Sequence, residues 1–329
     1  MIAMAPWLQN QLTSLMRRSG HAWLLHGPSG LGQYELGLAL ARTWLCVQPT
    51  AEGACGVCES CHGIDVRAHA DLCVLMPETD LMSLSWPLSE KALKDLEDKK
   101  RKPSREIRVD AMREMLAFTQ TTAASPHGKV VLIYPAERMN IFTANTLLKT
   151  LEEPPGPTRF ILACQAAHDL LPTVRSRCQQ HAMQWPEASQ AITWLVGQGL
   201  AKQDAEVMFK AAGGRPEEAL WMFNAGLTAQ VWRALPAQIT RGDAPALAEQ
   251  PATRVLDCLQ KLCHDMLCQA VGAPPRFFAA QDLPKASSFQ KLSSWSRELM
   301  QAAKTADHPY HAGLLWDAWC SRARRALTP

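Results

Sequence analysis

The chain has 329 residues, is 47% hydrophobic and 20% charged, and carries a formal net charge of +3, which allows two or three domains with their own cores. No stretch approaches the roughly 18 uninterrupted apolar residues of a membrane span, and Met1 to Trp7 contains no basic run of the export-signal type. Eleven cysteines, an odd number, argue against a disulfide framework and for reduced thiols, so a cytoplasmic protein without membrane association is expected. The near balance of charge announces no global nucleic-acid-binding field.

The first informative segment is apolar Trp23-Leu24-Leu25, followed by His26-Gly27-Pro28-Ser29-Gly30-Leu31-Gly32 and by a helical pattern from Tyr34 to Val47. The pattern predicts a strand, a glycine turn and a helix. A phosphate-binding loop is written G-x-x-x-x-G-K-[ST]: backbone N–H groups wrap phosphate, the lysine neutralises it, and the hydroxyl holds magnesium. Gly27 and Gly32 keep that spacing, with Gly30 between them, but Gln33 and Tyr34 stand where the cation and the hydroxyl belong. The cradle is expected without its chemistry. Lys129 to Glu137 reads as a buried strand entering a turn, where an ATPase would place a metal-organising aspartate and a glutamate. Tyr134 and Pro135 hold those places, and Glu137 beyond them reads as a solvated carboxylate at a helix start.

Between these strands Cys46, Cys55, Cys58 and Cys61 fall within 16 residues, where random placement gives about half a cysteine. Four converging thiolates suit a structural Zn2+ ion and leave no open position for water. His62 is the spare ligand candidate, and an iron–sulfur cluster is the alternative occupant. Cys73 and Cys164 are expected as buried apolar residues. Residues 78–106 are poor in apolar residues and rich in charge, including Lys99, Lys100, Arg101 and Lys102; they read as a solvated surface insertion. An amphipathic helix is expected from Val109 to Met115.

After the Lys129 strand come Asn145-Thr-Leu-Leu-Lys-Thr-Leu-Glu-Glu-Pro-Pro155, the strand Phe160 to Ala163, and Leu171-Pro-Thr-Val-Arg-Ser-Arg-Cys178. In this order, behind a glycine turn and a cysteine cluster, these segments resemble the bacterial clamp-loader subunits of the AAA+ class, the gamma, tau and delta-prime type, through roughly residues 1 to 225. The degenerate Gln33, Tyr34, Tyr134 and Pro135 match that family's non-hydrolysing branch. The resemblance implies an arginine finger at Arg177, flanked by Ser176 and Cys178, that reaches the nucleotide of a neighbouring subunit; Arg175 is then structural. It implies a lid turn at Gly214 to Leu220, with Glu217 where active relatives carry an arginine and Arg215 nearby. Partners implied are gamma/tau and delta subunits in a hetero-pentamer, the sliding clamp and primed DNA, all within a DNA polymerase holoenzyme.

The expected fold class is α/β plus all-α: an AAA+ parallel sheet over 1–184 with a zinc knuckle at 46–61 and the 78–106 insertion, a helical lid over 185–226, and a helical collar over 227–329. Collar stripes are Val255, Leu256, Leu259, Leu262, Met266 and Leu267; Phe289, Leu292, Trp295 and Leu299; and Leu314, Leu315, Ala318 and Trp319, with Trp295, Trp316 and Trp319 in the core. Two other functions compete: an active AAA+ ATPase that tolerates Gln33, and a zinc-stabilised DNA-binding module using the knuckle and the Lys99 run.

Overall fold

The computed structural model describes residues 4–285, 288–306 and 312–328. Two compact units divide at Trp185 and Pro186. The first begins with α1 (Pro6–Met16), β1 (Ala22–His26), α2 (Gln33–Leu45), α3 (Glu59–Asp65) and β2 (Leu72–Leu75). Next come α4 (Glu78–Ser83), α5 (Glu90–Glu97), α6 (Val109–Gln120), β3 (Lys129–Ile133) and α7 (Ile141–Glu152). The unit ends with β4 (Thr158–Cys164), α8 (Pro172–Arg175) and β5 (Gln179–Ala182).

The five strands form one sheet in the order β2-β3-β4-β1-β5, every pairing parallel. Leu24 stands opposite Leu162 and Leu132 opposite Ile161, so the central strands are apolar toward both faces, as a sheet covered on two sides requires. The chain leaves β1 for the far edge at β2 and later returns to the opposite side of β1 as β5. That reversal makes the carboxyl end of β1, where the glycine turn lies, a topological switch point, the usual place for a ligand in such sheets. Helix α2 lies close on the sheet: a Cβ at Gly37 would stand 2.9 Å from Leu132 Cδ1 and 3.3 Å from Ile161 Cγ2.

Residues 78–106 are not simply a solvated loop. They fold into α4 and α5, bury Glu78 and Trp86, and are cross-tied by Arg101, whose guanidinium donates to both Glu78 oxygens at 2.5 and 2.7 Å. Glu78 also accepts the Ser104 N–H at 2.8 Å, so the basic run is partly consumed within the insertion.

The second unit is all helical: α9 (Ala188–Gly197), α10 (Lys202–Ala211), α11 (Pro216–Asn224), α12 (Ala229–Arg241), α13 (Pro245–Ala248), α14 (Ala252–Ala270), α15 (Phe289–Ala303) and α16 (Ala312–Leu327). One apolar core runs from Leu195 and Met208 through Trp232, Leu259 and Trp295 to Trp319 and Leu327. Residues on both sides of position 226 share it. Asp265 is fully buried, and its carboxylate accepts the N–H groups of Arg276, Phe277 and Phe278 at 2.8, 2.7 and 2.7 Å. That cap fixes the loop whose Phe278 stacks on Trp232 at 4.5 Å. Leu292, Trp295 and Leu299 are core, but Phe289, expected beside them, is 53% exposed because it opens α15 before the helix meets its neighbours. Ala318 is also exposed, and Leu314 lies outside the described side chains. No helix among the described residues is long and apolar enough to cross a membrane.

Helix α1 is pinned to the end of the sheet by buried Gln11. Its side-chain oxygen accepts the Gln184 N–H at 2.9 Å and lies 3.0 Å from His181 Nε2, so this network assigns the imidazole proton to Nε2. Burial, then the charges of Arg18 and His26, pull the His181 pKa below its ordinary 6.5. The unfolded chain therefore takes up this proton at higher pH than the native one, and the native state gains stability with rising pH. His181's contribution is fully present above about pH 6.5 and falls away below it. Denaturant unfolding at pH 7.5 and 5.5 is expected to give a larger loss of stability for the wild type than for His181→Gln; equal losses would contradict the assignment.

Candidate functional site

The turn after β1 holds two left-handed glycines, Gly30 at φ 79° and Gly32 at φ 89°, a conformation that costs other residues strain. Gly27 is required for space, since a Cβ there would lie 2.8 Å from Met183 Cβ. Gln33 is buried in the first turn of α2, and its amide nitrogen turns back to donate to the carbonyl of Gly27 and, at 2.9 Å, to that of Pro28. Both amide hydrogens are used within the loop. Tyr34 is buried too, its hydroxyl accepting the Trp86 Nε1–H at 2.6 Å. Trp86 lies under the Arg67 guanidinium, 4.4 Å from the ring centre, and burial raises the Tyr34 pKa. The position that would hold a metal-binding hydroxyl is thus a packed aromatic, fixed by a residue of the insertion.

At the end of β3, the Tyr134 ring packs 5.5 Å from that of Tyr34, and burial raises its pKa. Glu137 departs from expectation. It is half-buried rather than solvated, accepts the Gln165 N–H at 2.9 Å, and has its pKa raised by burial. Tyr34, Tyr134, Pro135 and Gln165 line a cleft of ≈690 Å³ whose charged groups are Glu35, Asp80, Glu137 and Asp169 against Arg138. An excess of carboxylates opposes a polyphosphate by Coulomb repulsion.

Arg177 is not among the residues lining this cleft. It follows α8 in a turn where buried Cys178 joins the core and the Ser176 hydroxyl donates to the Thr173 carbonyl at 3.2 Å. Burial pushes the Cys178 thiol up to about 12, so this cysteine is an anchor and not a nucleophile. Between the two, Arg177 points outward. Its Nε donates to Glu152 Oε1 at 2.8 Å, its Nη2 donates to the same oxygen, and its Nη1 donates to the Thr173 carbonyl at 2.7 Å. In the second unit, Arg215 caps α11 and donates to the Ala212 carbonyl at 2.8 Å. Glu217 is in the first turn of α11, while buried Glu218 pairs with Arg254.

The four cysteines converge. Cys46 ends α2, Thr50 and Gly53 exchange backbone hydrogen bonds of 2.7 and 3.2 Å that double the chain back, and Cys58 caps α3, whose first turn carries Cys61. Their four Sγ atoms lie within 4.8 Å of one another, with Cys46 and Cys58 3.8 Å apart. A tetrahedral ion with Zn–S bonds of about 2.3 Å spaces its sulfurs about 3.8 Å apart, so the all-sulfur set fits zinc. The Cys55 N–H donates to Cys46 Sγ at 3.3 Å. Against desolvation, the N–H groups of Cys61 and Val47 bring the Cys58 thiol down to about 6, whereas burial raises the thiols of Cys46 and Cys61. Such N–H donors stabilise thiolates, the form that binds metal. The cluster could therefore hold a metal ion. His62 is exposed and not part of it. Ser60 joins the module to the end of α2 and to the segment leading into β2, donating to the Leu45 carbonyl at 2.6 Å and meeting His69 Nε2 at 2.8 Å. Cys164 is fully buried, whereas Cys73 on edge strand β2 is half-buried.

Sequence reasoning missed Trp86, Arg67 and Glu152. Trp86 could have been noticed as the one tryptophan within the charged 78–106 stretch; Glu152 sits inside the motif that had been singled out, but its partner lies 25 residues away.

A five-stranded parallel sheet in this order, with a glycine turn at its switch point and a helical second unit, defines an AAA+ P-loop-type protein. The family model described as "DNA polymerase III, delta subunit" matches residues 4–187. The delta-prime subunit of DNA polymerase III from Pseudomonas aeruginosa is 35% identical over 256 residues, covering 76% of this chain and 69% of that protein. That of Escherichia coli K12 is 30% identical over 277 residues, covering 78% and 76%. A gamma/tau subunit of Mycobacterium tuberculosis H37Rv is 28% identical over 209 residues, covering 62% of this chain and 32% of that one. The chain belongs to the DNA polymerase III delta-prime family.

Proposed function

We propose that this chain is a non-hydrolysing member of a clamp loader, a cytoplasmic assembly with gamma/tau and delta subunits that places a sliding clamp on primed DNA. In this role it binds no ATP productively and supplies Arg177 in trans to the nucleotide of a neighbouring subunit. The observation that carries the reading is what stands at the lysine and hydroxyl positions: Gln33 is spent on the carbonyls of Gly27 and Pro28, and the Tyr34 hydroxyl is taken by the Trp86 Nε1–H. The acidic cleft beside them supports it. Arg177 stands at the surface between a buried anchor and a short helix, as a group meant for another molecule would. A guanidinium held against the developing charge of phosphoryl transfer is worth about 10³ to 10⁵ in rate. The zinc-stabilised knuckle has a structural role in this reading, because four thiolates leave the ion no open position for water. Residues 185–226 and 227–329 would serve as lid and collar, the latter joining subunits.

Reconstitution with the partner ATPase subunits tests the central role. Arg177→Ala is expected to lower single-turnover hydrolysis at the site it faces on the order of 10³-fold while the complex still assembles; wild-type turnover would overturn the assignment. Metal analysis is expected to return one zinc ion per chain. Removing it with a chelator, or substituting Cys58→Ser, should lower unfolding stability by roughly several kcal/mol, because metal binding is coupled to folding of the module. A chain without zinc whose stability ignores both treatments would refute the zinc site.

A further inference from the structure

Glutamate is an unfavourable residue for the last position of α7. The final carbonyls of a helix present partial negative charge, which a carboxylate added there opposes. Glu152 nevertheless ends α7, and the group it meets is Arg177. The contact joins the two segments singled out in the sequence, the Leu147 to Pro155 block and the Ser176-Arg177-Cys178 turn, which are distant in the chain and adjacent in space.

The pattern of donors is informative. A guanidinium carries five N–H groups in a fixed planar fork. Glu152 Oε1 takes the Nε side of that fork, receiving Nε–H and one Nη2–H, and the Thr173 carbonyl takes one Nη1–H. These contacts leave one N–H each on Nη1 and Nη2, two donors that can meet phosphate oxygens. The Arg177 side chain keeps 29% of its surface exposed. Its two supports differ in firmness: the Thr173 carbonyl is backbone within a helical turn, whereas Glu152 is half exposed and supplies the charge.

We infer that Glu152 is a positioning residue: together with the Thr173 carbonyl it holds the Arg177 guanidinium so that the two remaining N–H groups are presented, already oriented, to the terminal phosphate of a nucleotide bound to the neighbouring subunit. This rests on the trans role of Arg177 proposed above and adds what prepares it. As a contribution to stability the pair is small, since solvent screens exposed ion pairs. As a contribution to catalysis it is larger, because an unsupported arginine must give up its rotamer freedom at the moment of reaction, and misplacement by about 1 Å can cost up to about 10²-fold.

The test uses the assembled complex with its partner ATPase subunits and reads single-turnover ATP hydrolysis and its nucleotide dependence. Glu152→Ala is expected to slow hydrolysis about tenfold with the half-saturating ATP concentration unchanged, within the range that misplacement of a catalytic group produces. Glu152→Gln, which keeps an oxygen to accept Nε–H, should recover part of the loss. The double variant Glu152→Ala/Arg177→Ala should be no slower than Arg177→Ala alone, because Glu152 acts through the arginine. Turnover in Glu152→Ala equal to or above that of the wild type, with Arg177→Ala still slow, would overturn the positioning role and leave the arginine finger standing. A further loss in the double variant would show a general structural effect of Glu152 and overturn it as well. An Arg177→Ala complex with unaltered hydrolysis would overturn both proposals.

Discussion

A phosphate-binding loop works because its backbone N–H groups face a vacancy and its lysine reaches into it. In this protein the side chain at the lysine position folds the other way. Gln33 is neutral, one atom group shorter in reach, and able to donate two hydrogen bonds, and it donates them to the carbonyls of Gly27 and Pro28. A buried amide with both hydrogens satisfied stabilises the turn that an ATPase would leave for its ligand. The remaining features follow from this choice. In the proposed non-hydrolysing role, Tyr34 and Tyr134 stand at positions where no magnesium ligand is needed. The Trp86 Nε1–H of the insertion then donates to the Tyr34 hydroxyl.

Other contacts of the first unit tie together the elements around this loop. The cysteine module grows from the end of α2, the helix that carries Gln33 and Tyr34, and Ser60 and His69 tie it back toward β2. The insertion is held closed at its base by Arg101 on Glu78. Arg177 is different in kind: its neighbour Cys178 is fixed in the core, but its own guanidinium is at the surface, supported by Glu152 and a backbone carbonyl. An arginine held at the surface in this way suits the proposed action on a neighbour's nucleotide.

Much of this was legible from local sequence. The glycine spacing, the residues at the lysine and hydroxyl positions, and the four cysteines are all patterns within a few turns of chain, and backbone geometry converts such spacing directly into position. What escaped were facts created by contact across long separations. Glu137 was read as solvated, yet the strand end at Gln165 covers it. The charged 78–106 stretch looked like a solvated loop, but Glu78 and Arg101 neutralise each other across 23 positions and allow Trp86 to turn inward. Phe289 fits its helical stripe by periodicity and is still exposed, because periodicity gives the face of a helix and not the length over which that face is covered. Glu152 illustrates the same limit at the site itself.

The most direct test of the non-binding role proposed for this loop is equilibrium binding of magnesium-ATP to the purified chain alone, followed by calorimetry. With Gln33 and Tyr34 occupying the loop and carboxylates facing the cleft, no saturable binding is expected up to about 1 mM nucleotide, which corresponds to less than about 4 kcal/mol of binding free energy. Saturable binding in the micromolar range would mean that the loop opens and admits phosphate, and would contradict the account.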